Sequence, residues 1–111
     1  MANETYIYRP RGTIALGVAT ETLTGARTLT AADPAFLYLD PDGDKDVTLD
    51  DAAASHGMRR EIVNTAGGAE TITVKNTAGS TLETIEQNRA AVFHNVAGTW
   101  AFGHKYTIAL T

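Results

Sequence analysis

The chain is expected to fold as an all-β domain, an antiparallel β-sandwich or barrel of about eight to ten short strands, with an extended N-terminal arm and at most one short helix near residues 50–56. Three observations carry this expectation. Between Phe36 and Ile85, short apolar runs alternate with turn chemistry: Asp40-Pro41-Asp42-Gly43, Asn64-Thr65-Ala66-Gly67-Gly68 and Asn76-Thr77-Ala78-Gly79-Ser80. The two Asn-Thr-Ala-Gly turns start at 64 and 76, room for one turn and one strand of about six residues. Thr is frequent and β-branched, which suits a pleated surface, whereas a helical chain of this size would carry Leu, Lys and Glu at helical spacing. The stretch from Phe36 to Ile85 therefore reads as a β-meander.

Taken in order, residues 1–12 form the arm and residues 13–111 a single β domain. Tyr6-Ile7-Tyr8 has strand character, but Pro10 lacks a donor and Gly12 permits a bend, so the arm would pair poorly inside a sheet and reads either as an edge strand folded back on its own domain or as a segment that orders on a partner. Residues 13–18 read as a strand. Residues 22–30 read as a second, broken at Gly25-Ala26 by a bulge or tight turn; Leu23 and Leu29 would share a face if it were unbroken. Phe36 to Leu39 is a strand of strong β-formers, and Asp40 to Asp46 is an acidic turn in which Pro41 presets φ and Gly43 takes a positive φ. Val47 to Leu49 is a short strand. Asp50 to Gly57 has helix polarity, with acids at its start and Gly at its end.

Met58 to Asn64 follows as a strand. Glu70 to Asn76 alternates, with Ile72 and Val74 inward and Thr71, Thr73 and Lys75 outward. Leu82 and Ile85 break the alternation of residues 81–86, which marks a bulge. Arg89 to Asn95, Thr99 to Phe102 and His104 to Thr111 complete the strands, and the aromatic side chains are expected to fill the core.

Composition narrows the function. Apolar content of 43% and charged content of 20% fit a folded domain rather than a disordered one. The formal charge of −4, with Arg59-Arg60 the one adjacent basic pair, argues against nucleic acid, including stacking of single strands on the aromatics. Absence of cysteine excludes disulfides, thiolate chemistry and Cys-ligated zinc. No signal peptide is expected from Met-Ala-Asn-Glu, and no apolar run approaches the ~18 residues of a membrane helix.

No catalytic constellation stands out. His56, His94 and His104 lack metal-ligand spacing, neither Ser55 nor Ser80 sits in a nucleophile elbow, and Gly67-Gly68 precedes no helix. No enzyme activity and no cofactor are expected. The acidic turn is the one metal candidate: Asp40, Asp42, Asp44, Asp46 and Asp51 cluster as calcium ligands do, with Asp40, Asp42, Asp44 and Asp51 at the first, third, fifth and twelfth places of an EF-hand loop. However, Lys45 stands where that loop needs Gly, and a strand precedes it where a helix should. A hairpin turn whose aspartates cap their own backbone is the better reading. The arm carries a different signal. Tyr6, Ile7, Tyr8, Arg9 and Arg11 are the residue types favoured as anchors at protein interfaces.

The pattern FLYLDPDGDKDVTL followed by MRREIVNTAGGAETITVKNTAGSTLETIEQNRAAVFHNVAGTW resembles a segment of tailed-bacteriophage structural proteins, over about residues 28–102. Such segments occur in small head decoration (capsid cement) proteins and in tail-fibre or spike proteins. Where the family has proline after Val-Thr-Leu, this chain has Asp50. The resemblance implies a structural virion protein on the outer capsid surface, assembled in the host cytoplasm. It would bind the major capsid protein lattice as a homotrimer, with no membrane and no nucleic acid as partner. An arm and one β domain suit a decoration protein better than a fibre. The alternative that the resemblance leaves open is a tail or fibre adhesion module binding a host surface glycan.

Overall fold

In the computed structural model, which describes residues 17–51 and 58–109, the first six strands alternate between two sheets. The strands are β1 (Val18–Leu23), β2 (Arg27–Leu29), β3 (Phe36–Pro41), β4 (Lys45–Leu49), β5 (Arg59–Asn64), β6 (Ile72–Asn76), β7 (Thr81–Ile85), β8 (Arg89–Val96) and β9 (Thr99–Thr107). One sheet has the order β1-β3-β5-β8-β9 and the other β2-β4-β6-β7. The all-β expectation holds, and the described residues contain no α-helix. Of the expected helical piece near 50–56, only Asp50 and Asp51 lie within the described residues. The arm and most of the expected strand 13–18 also lie outside them; the first described strand is Val18–Leu23.

The pairing corrects the meander. β1, β3 and β5 run parallel, as do β2, β4 and β6. Up to β6 the chain thus winds as a flattened coil, each turn adding one strand to each sheet. It then reverses: β7 pairs antiparallel with β6, β8 with β5, and β9 with β8. The antiparallel expectation applies only to this second half.

Backbone geometry explains the difference. A tight hairpin needs positive φ, and this occurs at Gly79 in the β6–β7 turn and at Ala97 and Gly98 between β8 and β9. Gly43 does not adopt it. The acidic turn is therefore a crossing from β3 in one sheet to β4 in the other, not a hairpin. Its backbone bonds to neighbouring coils instead: Asp42 N donates to Leu23 O (3.1 Å), and Lys45 N to Thr71 O (3.0 Å). The break at Gly25-Ala26 is likewise a change of sheet, and it leaves Leu23 and Leu29 in one core from opposite sides.

Both sheets contribute to that core. Leu37, Leu39, Ile62 and Phe93 enter from the five-stranded sheet, and Val47, Leu49, Ile72, Val74 and Ile85 from the other. Burial of each such side chain contributes about 1.5–3 kcal/mol. Leu82 has no partner in the β6–β7 register, which steps from Val74↔Glu83 to Lys75↔Thr81; this is the expected bulge. The two strands expected over 99–111 are one, Thr99–Thr107, bulged where Gly103 is skipped in the pairing with β8.

The open ends of the sheet pair are closed by charge. At the β1–β2 end, Glu21 and Arg27 both take inward positions and meet at 2.9 Å, with Asp33 2.7 Å from the same guanidinium. At the β9–β7 end, Lys105 reaches Glu83 (2.8 Å) and Glu86 (2.9 Å). Inward-pointing charges on edge strands discourage pairing with another chain.

Candidate functional site

The two outer faces differ in chemistry. On the four-stranded sheet the register aligns Thr28, Thr48 and Lys75 in one row and Asp46, Thr73 and Thr84 in the next, a polar face. On the five-stranded sheet one row is Thr20, Tyr38, Val63, Ala90 and Tyr106; the adjacent row is Val18, Phe36, Glu61, Val92 and His104. This second face is aromatic and apolar with one carboxylate near its centre.

Tyr106 organises that face. Its hydroxyl donates to Glu61 Oε2. Glu61 stands on β5 and Tyr106 on β9, with β8 between them, so the two strands are roughly 10 Å apart. The bond closes that gap only if both side chains lie along the sheet. The phenol ring therefore crosses β8, which explains why the outward-facing Ala90 and Val92 are 0% and 1% exposed. Tyr106 itself remains 37% exposed and Tyr38 40%. His104 lies beside Tyr106, ring centroids 6.0 Å apart and planes within 29°. Arg59 Nη2 approaches Glu61 Oε1 at 3.6 Å. The Tyr106 phenol is pushed up to about 12, first by its hydrogen bond to Glu61 and then by burial.

The aromatics expected in the core divide. Phe93 and Trp100 are buried there, but Tyr38, Phe102 and Tyr106 are exposed, because they occupy outward or edge positions. The face was legible in part. In β3, Phe36 and Tyr38 alternate with Leu37 and Leu39, and large apolar residues on both faces of a strand mean that both faces are covered or used. Glu61 gave no such signal.

The acidic residues diverge. Asp40 points outward on the five-stranded sheet and Asp46 outward on the four-stranded one, where Lys75 Nζ donates to it at 3.0 Å. Asp42 pairs with Lys45 (2.8 Å), and Asp44 Oδ1 accepts the Thr71 amide (2.9 Å). Asp51 follows β4, its amide donating to Thr77 Oγ1. Among the described residues no group of three or more His, Asp or Glu side chains is placed to hold a metal, and no closed pocket is present. Tyr6, Ile7, Tyr8, Arg9 and Arg11, as well as His56, lie outside the described residues. Comparison of the chain with known protein families, characterised proteins and solved structures finds no match.

Proposed function

We propose that the chain is a non-enzymatic structural protein of a phage virion that decorates and stabilises the capsid. It binds the major capsid protein lattice as a homotrimer, through Tyr6, Ile7, Tyr8, Arg9 and Arg11 of the arm. The observation that carries this reading is the resemblance over residues 28–102. The architecture supports it. Both ends of the sheet pair are closed by inward ion pairs, so the body is suited to remain discrete while crowded on a lattice.

The mechanism is linkage. A protein that binds the assembled shell and not free subunits stabilises the shell by mass action. Three arms engaging together add avidity without any new contact. The test compares the full chain with a variant lacking residues 2–12 for binding to emptied heads, alongside native mass in solution. Full-chain binding that the shortened variant loses, and a mass three times 11.8 kDa, are expected. Equal binding by the shortened variant would remove the arm's role. A full chain that ignores heads would sink the capsid reading and leave the adhesion module.

A further inference from the structure

We infer that the outer face of the five-stranded sheet binds a neutral saccharide, with a pyranose ring laid on Tyr106 and His104 and its hydroxyls bonded to Glu61 and Arg59. The geometry supplies both halves of such recognition. Tyr106 lies along the sheet and is pinned there by its bond to Glu61, so one ring face is turned to solvent. His104, with its plane within 29°, widens the ledge, and Tyr38 stands across Val63 and Ala90 in the same row. Pyranose C–H groups are weakly positive and meet the negative face of an aromatic ring.

The polar half lies at the edge of the ledge. A carboxylate offers about four lone-pair sites. Tyr106 bonds one oxygen of Glu61, and Arg59, at 3.6 Å, only approaches the other, so acceptor capacity remains. Arg59 is itself exposed, and its guanidinium supplies donors.

Size and charge choose the ligand class. Tyr38 and Tyr106, about two fifths exposed, offer on the order of 80 Å² each. The ledge of Tyr106 and His104 is two rings wide. It suits one or two sugar rings. The face also carries Glu61 and Asp40 on a chain of net charge −4, so a neutral glycan fits better than an acidic one. The inference is independent of the capsid reading, since the test uses the isolated protein and no heads.

The test is a ¹H–¹⁵N NMR titration of the full chain with three neutral oligosaccharides: cellohexaose, mannohexaose and galactohexaose. At least one is expected to shift the amides of Tyr38, Glu61, His104 and Tyr106 at concentrations up to about 10 mM. Tyr106→Ala and Tyr38→Ala should each weaken that binding by about tenfold, as loss of an aromatic contact implies. Tyr106→Phe, which keeps the ring but releases it from Glu61, should weaken binding less than Tyr106→Ala does, and Thr73→Ala on the opposite face should bind as the parent does. Tyr38→Ala provides the answer if Tyr106→Ala does not fold. The inference is overturned if none of the three sugars shifts this face, if the shifts map to the four-stranded sheet, or if a folded ring-deletion variant binds like the parent.

Discussion

Replacing Arg60 by methionine should destabilise the protein by about 2–4 kcal/mol. Arg60 points into the interior of the sheet pair and is 3% exposed. Its Nη1 donates to Asp33 O (2.6 Å) and Pro34 O (2.5 Å), and its Nη2 to Thr30 O (2.5 Å). One guanidinium thus holds the whole corner between β2 and β3. Hydrogen bonds from a charged donor contribute about 1.5–3 kcal/mol each, so three sum to roughly 5–9 kcal/mol. Against this stands the cost of burying the charge, several kcal/mol, which also holds the Arg60 pKa below its ordinary value. Methionine fills much of the side-chain volume, so the cavity contribution is small and the difference remains. Urea denaturation followed by circular dichroism should show the midpoint falling by about 1–2 M at unchanged slope. Arg60→Lys should lose a comparable amount, because a point charge cannot reach three carbonyls that a planar fork spans. A midpoint within about 0.3 M of the parent for Arg60→Met would mean that desolvation cancels the bonds, and the reasoning would be refuted.

Other expectations follow from single positions. Arg27, by hydrogen bond first, holds the Asp33 carboxyl below its usual range. Its folded pKa is thus lower than its unfolded one, so its contribution is present above about pH 4 and disappears as pH falls through the folded value. Asp33→Asn should flatten that acid limb in denaturation series, and an unchanged limb would deny the clasp. In a 295 nm titration one of the four tyrosines should ionise at about 12, and Tyr106→Phe should remove that step. Ala97 holds φ 55° beside Gly98 at φ 91°, a two-residue hairpin turn with both central residues left-handed. Ala97→Asn or Ala97→Gly should therefore stabilise by about 0.5–1 kcal/mol in thermal melts, and a lower Tm would contradict the strain. Gly103→Ala would set a Cβ 2.8 Å from His94 Cδ2 and 3.0 Å from Val92 O. It should cost about 1–3 kcal/mol, and an unchanged Tm would show that the bulge yields freely.

Much of the fold is legible along the chain. Period-two alternation marks Ile72 and Val74 as inward before any neighbour is known, because successive residues of a strand face opposite ways. The bulge opposite β6 shows in the broken spacing of Leu82 and Ile85. The candidate face is less legible. Phe36 and Tyr38 announce a second apolar side to β3, but nothing local sets Glu61 beneath the hydroxyl of Tyr106, 45 positions later.

The two Asn-Thr-Ala-Gly turns show where local reading ends. At 76–79 the quartet closes a hairpin, with Gly79 at φ 91° and Asn76 Oδ1 accepting the Ser80 amide. At 64–67 the same four residues turn the corner between sheets. There Asn64 is fully buried, and its Nδ2 donates to Glu70 O and Ile85 O, partners that exist only after folding. Side-chain alternation and turn propensity suffice for the all-β class, for most strand positions and for inward residues such as Ile72 and Val74. Strand neighbours, the parallel pairing of the first three coils, and the shared surface of Tyr38, Glu61 and Tyr106 emerge in the folded chain alone. Backbone donors and acceptors are the same at nearly every residue, so strand partners are selected by how the whole core packs.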